Sequence, residues 1–421
     1  MVKTRSLIPP PLLRRFCWAL PGLLLAFLPG CVGEGKSPGA GDPAAIAPAA
    51  GSEAGPAASL EREDRKLASR IAGALDDRRL AAQVIITGVD GKGLLGESMG
   101  ALLELVPAGG IMLFAYNLGT EQDAIPSFLV SVSRCIAGSG IPPFIAVDHE
   151  GGRVQRFGPP FRRLPAPAAY WDLAQSRGRD YALKAIEEDA LFSGRELREA
   201  GVSLNFAPVA EIAGPGNQAF LGDRSYGPDA AFVTEAAGAF IRGMAAAGIL
   251  CVVKHFPGNS GADPHRETAL LAGDSAALDS MTAPFAALIR GGDPAGVMVS
   301  HVLAPGWDGE RIASLSPFVM GDKLRGELGF TGIILGDDFF MDAARLSGLS
   351  PEGAAVEALI AGADMVMAWP MNLRAMQGAI LSAVREGRLS REELREKAER
   401  ILYQKIRSGL VNRSESNRKG E

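Results

Sequence analysis

The stretch Ile249-Leu250-Cys251-Val252-Val253-Lys254-His255-Phe256-Pro257-Gly258 decides the fold of this chain. Its first five residues are apolar, as in a strand buried on both faces, and Lys254 and His255 follow just before a Pro-Gly turn. The pattern predicts a strand whose carboxyl end carries polar groups. Asp263-Pro264-His265 follows closely, so two of the four histidines lie in this region. We interpret it as an active-site rim.

Similar apolar runs alternate with helical patterns along the chain. The eight runs are Gln83–Val89, Gly110–Phe114, Pro143–Val147, Val202–Phe206, Ile249–Val253, Gly296–Ser300, Gly332–Leu335 and Ala363–Met367. Helices are predicted at Arg62–Asp77, Asp180–Ala200, Ala230–Ala247, Ala276–Ile289, Lys323–Leu328, Glu352–Ala361 and Ser390–Leu410. Repeated βα units predict an α/β protein built as a single (β/α)₈ barrel of the TIM type, with a doubly wound open sheet as the alternative.

Polar residues at the ends of five runs favour the closed barrel. They are Asp148-His149-Glu150, Asn205, Lys254-His255, His301 and Asp337-Asp338. Barrel enzymes place their chemistry at the carboxyl ends of the strands, whereas an open sheet needs such groups only near its switch point. Polar ends spread along the chain therefore predict a ring with a site at its mouth. A helix-capping or loop-solvating role is the alternative for each residue, and we favour it for Glu150 and Asp338.

Composition narrows the class of ligand. At 421 residues, 47% of them hydrophobic, the chain can bury a large core. The formal net charge of -5 and the lack of a basic stripe argue against a nucleic-acid partner and favour a small substrate. No Cys/His spacing predicts a metal, and the Gly-rich turns lack the form of a phosphate loop, so no cofactor is expected.

The first thirty residues predict an export signal. Basic residues precede the apolar run Phe16–Leu28, which is too short for a stable transmembrane helix. The sequence Leu28-Pro29-Gly30-Cys31 resembles a bacterial lipobox, which predicts lipidation of Cys31 and anchoring to the cell membrane or outer membrane, on the periplasmic or cell-surface side. An ordinary secreted protein with a free Cys31 is the alternative. The internal Cys135 and Cys251 imply no disulfide framework.

Residues 31–60 are rich in Gly, Ala, Pro and Ser and predict a flexible tether with a reach of roughly 30 Å. The predicted organisation is therefore a signal peptide at 1–30, a tether at 31–60 and the barrel at 61–421.

Five segments resemble the β-N-acetylglucosaminidases of glycoside hydrolase family 3. They are Asp148-His149-Glu150-Gly151-Gly152-Arg153-Val154-Gln155-Arg156-Phe157, Asn205-Phe206-Ala207-Pro208-Val209, Gly222-Asp223-Arg224-Ser225-Tyr226-Gly227, Lys254-His255-Phe256-Pro257-Gly258, and Gly329-Phe330-Thr331-Gly332 with Asp337-Asp338. The resemblance extends from about Leu67 to Leu410. It implies the same single barrel and the hydrolysis of terminal β-linked N-acetylglucosamine (GlcNAc), with peptidoglycan fragments as the expected source.

The resemblance also implies catalytic roles. Asp337 matches the nucleophile, which would form a covalent glycosyl-enzyme and retain the anomeric configuration. Because adjacent strand residues face opposite sides, we expect Asp337 to face the barrel mouth and Asp338 to face away. His265 matches the acid/base of the subgroup, and Asp263 the residue that orients its ring. We expect this barrel loop to supply the proton because the chain ends soon after its last predicted helix, without a second domain.

Substrate contacts follow from the same resemblance. The implied residues are Asp148, Arg156, Arg224, Lys254 and His255. Asp148 would accept hydrogen bonds from sugar hydroxyls, and the other four side chains would donate to the sugar. The Arg and Lys side chains are also able to bind the carboxylate of a muramyl group. His149, Glu150 and Arg153 are interpreted as support for their loop.

Some residues depart from the family pattern. The 258–263 loop is about two residues short, Asn259 stands where a second His is common, Pro264 lies inside the Asp/His pair, and Gly336 replaces a common Ser. The short loop and Asn259 favour another glycone, as in a β-glucosidase or β-xylosidase, whereas the Asp263/His265 pair argues against it. A non-catalytic lipoprotein that binds cell-wall glycan is the other alternative.

Overall fold

The computed structural model describes residues 56–118, 124–263, 266, 269–292, 294–345 and 347–413. The predicted signal peptide, Cys31 and nearly all of the predicted tether lie outside the described residues, as do Pro264 and His265.

Eight parallel strands form the centre of the fold. They are β1 Ile85–Gly88, β2 Gly110–Leu113, β3 Phe144–Val147, β4 Leu204–Asn205, β5 Leu250–Phe256, β6 Gly296–Val299, β7 Ile333–Gly336 and β8 Val366–Ala368. Neighbours in sequence pair in parallel from β1 to β7, and β1 also pairs with β8. A parallel bridge between Leu335 and Met365 joins β7 to the segment that enters β8. The strands thus form a nearly closed barrel, which agrees with the predicted barrel and not with the open-sheet alternative.

Helices cover the outside of the ring. The α-helices are Pro56–Gly73, Asp77–Gln83, Glu97–Leu105, Ala124–Ile136, Pro167–Arg177, Arg179–Glu199, Gln218–Leu221, Ala230–Ala246, Ser275–Met281, Ala283–Gly291, Asp342–Arg345, Pro351–Ala361, Leu373–Arg385 and Arg391–Arg407. Phe318–Glu327 is a π-helix, and Ala137–Ser139, Ala313–Leu315 and Pro370–Asn372 are short 3₁₀ turns. Within the part of the chain that the structure describes, no helix is long and apolar enough to span a bilayer.

Three helix predictions were wrong in extent. The predicted helix Lys323–Leu328 covers only the second half of the π-helix Phe318–Glu327. The predicted helix Ala276–Ile289 is two helices that meet at Thr282, because Pro284 lacks the N–H needed to continue the first one. Thr282 instead donates its hydroxyl to the carbonyl of Leu278 at 3.0 Å. The predicted helix Arg62–Asp77 ends at Gly73, and Asp76 caps a new helix by accepting the N–H of Arg79.

Short strands flank the barrel. His149–Gly151 pairs with Val154–Gln155 as a hairpin directly after β3. Ala269–Leu270, Val302–Ala304 and Asp308–Ile312 form a three-stranded sheet beside the loops that follow β5 and β6.

Strand β4 is only two residues long, and side chains continue its pairing with the chain leaving β3. The amide of Asn205 accepts the backbone N–H of His149 and donates to its carbonyl, both at 3.0 Å. The hydroxyl of Ser203 accepts the N–H of Ile145 at 3.0 Å. These bonds fix the backbone next to Asp148 and Glu150, so the first polar strand end starts from a rigid position.

Candidate active site

A cavity of about 270 Å³ opens at the carboxyl ends of the strands. Its polar lining consists of Asp148, Glu150, Arg156, Arg224, Lys254, His255, Asp337 and Asp338, and its apolar lining includes Met112, Phe114, Phe206, Phe220, Met298, Met341 and Met367. The structure therefore brings six of the sequence-predicted site residues to one place. These six residues come from strand β5 and from the loops after β3, β4 and β7.

Asp148 is held as an anion between two cations. Lys254 Nζ lies 2.7 Å from its Oδ1, and Arg156 Nη2 lies 3.1 Å from its Oδ2. Burial raises the pKa of Asp148, but Lys254 and Arg156 outweigh burial and hold that pKa below its usual value. The carboxylate is thus charged, rigid and still partly open to the cavity, with 16% of the side chain exposed.

Glu150 completes the array. It supports its loop through buried ion pairs, as interpreted from the sequence, and it neither caps a helix nor lies in solvent. Its side chain is 1% exposed and lies 2.7 Å from Lys254 Nζ. Arg224 contacts both carboxylate oxygens at 2.8 Å, through Nε and Nη2. Burial disfavours the charged form of Glu150, but Lys254 and Arg224 hold its pKa well below the usual range. Reciprocally, Asp148 and Glu150 outweigh the effect of burial and raise the pKa of Lys254.

His255 is oriented by a carboxylate that sequence reasoning missed. Its Nδ1 lies 2.6 Å from Glu211 Oε1, and its Nε2 lies 3.4 Å from Arg224 Nη2. Because a guanidinium only donates, the contacts assign Nδ1 as the donor to Glu211 and Nε2 as the nitrogen that accepts from Arg224. Glu211 also accepts the backbone N–H of Asn259 at 2.6 Å and its Nδ2–H at 3.1 Å. The one sequence signal for Glu211 was a lone carboxylate in the apolar segment after β4.

Asp337 and Asp338 both line the cavity, so the expectation that only one faces the mouth was wrong. Strand β7 ends at Gly336, and the alternation of strand side chains does not extend beyond it. Asp337 Oδ1 accepts the N–H of Asp338 at 2.8 Å, and no described residue donates a hydrogen bond to its Oδ2. One oxygen of Asp337 is therefore open to a substrate.

Asp338 is a supporting residue. Its Oδ1 accepts the N–H of Phe340 at 2.9 Å, and its Oδ2 accepts the indole N–H of Trp369 at 3.0 Å. Burial raises the pKa of this carboxyl. His301 Nε2 lies 3.0 Å from the carbonyl of Asp338, and Ser314 Oγ lies 2.6 Å from the Nδ1 of the same ring. These contacts fix the backbone directly after Asp337.

Gly336 precedes Asp337 where a Ser would be common. A Cβ atom at this position would lie 2.7 Å from Phe339 Cζ, and Phe339 is fully buried. The packing of Phe339 therefore excludes a side chain here.

The predicted acid/base pair is only partly described. Asp263 is described, with 44% of its side chain exposed and its Oδ2 3.7 Å from Arg266 Nε. His265 lies outside the described residues, so its role stays a prediction.

Arg153 and His149 support the loop. Arg153 donates to the carbonyls of Phe220 and Leu221 at 2.8 and 2.7 Å. His149 is buried, and burial together with Arg156 lowers its pKa to about 4. Among the residues that the structure describes, no group of three or more His, Cys, Asp or Glu side chains is placed to hold a metal ion.

The mouth of this parallel barrel presents an accessible carboxylate next to charged groups that can bind hydroxyls. Glycoside hydrolysis needs groups of these kinds. This protein is a barrel-type glycoside hydrolase. The model of the glycosyl hydrolase family 3 N-terminal domain matches residues 96–403, and the chain belongs to that family.

Bacterial β-hexosaminidases are similar to this chain in sequence. The chain is 39% identical to the β-hexosaminidase of Methylococcus capsulatus over 266 residues, which are 62% of this chain and 75% of the relative. It is 38% identical to that of Tolumonas auensis over 291 residues, which are 68% and 82% of the two chains.

Solved structures of family 3 enzymes have a similar fold. A family 3 β-N-acetylglucosaminidase from Paenibacillus superposes with a TM-score of 0.74 at 31% identity, and covers 80% of this chain; this chain spans 63% of that protein. NagZ from Neisseria gonorrhoeae, in complex with N-trifluoroacetyl-D-glucosamine, gives a TM-score of 0.65 at 28% identity and covers 76% of this chain and 89% of its own.

Proposed function

We propose that this protein is a retaining exo-β-N-acetylglucosaminidase that releases terminal β-linked GlcNAc from peptidoglycan fragments. The observation that carries the proposal is the open oxygen of Asp337, in one cavity with the Asp148, Lys254 and Arg224 array. The named β-hexosaminidase relatives support hydrolysis of a terminal GlcNAc. Pockets for drug-sized ligands start at roughly 300 Å³. A cavity of about 270 Å³ therefore suits one terminal sugar and favours exo action.

In the proposed first step, Asp337 Oδ2 attacks the anomeric carbon as the bond to the leaving oxygen breaks. His265 protonates that oxygen, and Asp263 orients the imidazole. In the second step, His265 takes a proton from water, the water attacks the anomeric carbon, and Asp337 leaves as a carboxylate. Two displacements at one carbon retain its configuration.

The glycone is held by preformed charges. Asp148 accepts hydrogen bonds from sugar hydroxyls, and its two cationic partners keep it ionised while it does so. Arg224 and Lys254 are fixed by Glu150, so they donate with little reorganisation. Arg156, with 31% of its side chain exposed, is the cation placed to meet the carboxylate of a muramyl group.

A panel of p-nitrophenyl glycosides tests the proposal. We expect the N-acetylglucosaminide to be hydrolysed with a kcat/KM at least about 100-fold above the glucoside and xyloside, because a missing hydrogen-bonded group leaves buried partners unpaired. A preference for the glucoside or xyloside would replace the proposal with the corresponding family 3 activity. Equal and negligible rates for the wild type and His265→Ala, together with muropeptide binding, would indicate a non-catalytic glycan-binding protein.

We also propose export and lipidation of Cys31. The basis is the lipobox-like Leu28-Pro29-Gly30-Cys31 after an apolar run. Metabolic labelling with radioactive palmitate should mark the wild type and not Cys31→Ser. Equal labelling of both, or labelling of neither, contradicts a lipid on Cys31.

A further inference from the structure

The helix Pro56–Gly73 lies across the amino ends of the barrel strands. Its first half and the turns before β6 and β7, at Pro294 and residues 329–332, line one cavity of about 450 Å³. Its second half and the turn before β3, at residues 137–141, line another of about 520 Å³. Because the barrel strands are parallel, all of these turns lie at the end of the barrel opposite the active site.

This helix has a buried side and a charged outer side. Leu67, Ala68 and Ala72 are buried against the barrel. Arg62, Lys66 and Arg70 follow one another at intervals of four residues and are exposed. Because residues four apart lie on the same side of an α-helix, these cations form a row at the amino end of the barrel.

Most carboxylates of this surface are already occupied. The ion pairs are Glu61 with Arg65, Asp64 with Arg413 and Asp77 with Arg391. Asp76 caps the following helix by accepting the N–H of Arg79. Glu63 is the remaining carboxylate of the helix Pro56–Gly73.

Several cations of the same surface stay without a carboxylate partner. Arg62, Lys66, Arg79 and Arg407 form no ion pair with any residue that the structure describes. Arg407 lines the cavity of about 450 Å³, and Arg79 lines that of about 520 Å³. Residues 56–83 and 404–413 together carry eight exposed cations and five carboxylates. This end of the barrel is therefore positive, although the formal charge of the whole chain is -5.

Such a charge distribution orients a protein at a negatively charged surface, because the positive end is attracted and the remainder is repelled. The proposed lipid on Cys31 precedes Pro56 by about 25 residues, and a flexible chain of that length has a reach of roughly 30 Å. A short flexible linker gives an effective concentration on the order of millimolar. A surface held this close to a membrane needs only a weak attraction to lie on it.

We propose that the amino-end face, defined by Arg62, Lys66, Arg79 and Arg407, binds the anionic phospholipid surface of the membrane. The barrel mouth then opens away from the bilayer, where glycan is accessible. A bilayer is favoured over a soluble polyanion because the predicted lipid anchor joins the chain at this face. The inference goes beyond the proposed hydrolase activity and does not depend on it.

The barrel can be tested without the predicted signal and tether. Ala54–Glu421 form one compact unit, and the hydrophobic core of the described chain lies between Leu67 and Val411. Co-sedimentation with vesicles compares phosphatidylcholine alone with phosphatidylcholine containing about 30% phosphatidylglycerol. Each Lys or Arg near an anionic surface contributes about fivefold to partitioning. We expect partitioning of Ala54–Glu421 onto the anionic vesicles to be about 100-fold stronger at low salt, and to be lost at about 1 M salt, where charges are screened within about 3 Å.

Two double variants locate the effect. Arg62→Gln with Lys66→Gln should lower partitioning onto the anionic vesicles about 25-fold, as the product of two cations. Lys184→Gln with Arg374→Gln is the control, since it changes the net charge equally. Lys184 and Arg374 are exposed near the starts of the helices Arg179–Glu199 and Leu373–Arg385, at the mouth end of the barrel, and partitioning should stay within about twofold of the wild type.

Equal partitioning of the wild type onto both kinds of vesicle would overturn the inference, and so would an equal loss in the two double variants. Both double variants should hydrolyse p-nitrophenyl N-acetylglucosaminide like the wild type. Failure of the wild type to hydrolyse that substrate is a separate result, which overturns the proposed function and leaves the membrane surface as inferred.

Discussion

Glu150→Gln tests how strongly the ion-pair array depends on its buried carboxylate. Glutamine keeps the shape of the side chain and removes its charge. Lys254 then retains one carboxylate partner of two, and Arg224 loses its bidentate partner. Removing one partner of a buried ion pair costs about 3–5 kcal/mol, because the other charge stays buried without compensation. We expect the free energy of unfolding to fall by about that amount.

Activity should fall as well. Arg224 and Lys254 line the sugar cavity, and a displacement of about 1 Å in groups that position a substrate can cost about 100-fold in rate. We expect a loss of kcat/KM of that order on p-nitrophenyl N-acetylglucosaminide for Glu150→Gln. Stability is measured by urea unfolding at pH 7, followed by far-ultraviolet circular dichroism.

Glu187→Gln is the matched control. Glu187 pairs with Arg242 at 2.8 Å, but their side chains are 45% and 54% exposed. A surface pair of this kind contributes about 0–1 kcal/mol. Suppose that Glu150→Gln lowers the free energy of unfolding no more than Glu187→Gln does and keeps wild-type activity. The ion pairs of Glu150 with Lys254 and Arg224 then do not stabilise the fold or position the substrate.

Three further outcomes are expected. Asp337→Ala should lower kcat on the order of 10⁴-fold with an unchanged circular dichroism spectrum; a loss below tenfold would remove Asp337 from the nucleophile role. His265→Ala should lose least on aryl glycosides with good leaving groups, and an equal loss across a leaving-group series would remove His265 from the acid role. Burial lowers the pKa of Lys405 from 10.5 to about 7. Above pH 7, Lys405 keeps its proton in the unfolded chain and releases it in the folded chain. This residue therefore raises the free energy of unfolding of the wild type by about 1.4 kcal/mol per pH unit up to pH 9. Lys405→Met should lack this gain; parallel urea-unfolding results at pH 7 and pH 9 for both proteins would contradict the assignment.

Sequence pattern was sufficient to find the barrel. All eight predicted apolar runs overlap barrel strands, because strands covered on both faces must be apolar along their length. The residues at which the strands end were harder to predict. The run Ile249–Val253 continues as strand through Phe256, since Lys254 forms an ion pair with Asp148 and His255 contacts Glu211 inside the site instead of ending the strand.

The sequence did not predict the partners of the buried carboxylates, because these partners lie far away in sequence. Glu150 is 74 residues from Arg224, and Glu211 is 44 residues from His255. Composition and local spacing do not encode such pairs, which arise only when the ring brings successive strand ends together. The orientation of Asp338 was missed for another reason, because the strand rule was applied to Asp337 and Asp338, which lie one and two residues beyond the end of β7.

The contact between Gly336 and Phe339 also restricts how this site can change over generations. A serine introduced at position 336 has to displace a fully buried aromatic ring, so it is tolerated only after Phe339 has become smaller or moved. The order of the two substitutions then matters: a change at 339 opens the path to a hydroxyl beside Asp337, whereas the reverse order passes through a poorly folded intermediate. Ancestral reconstruction of the family should find the two positions changing together.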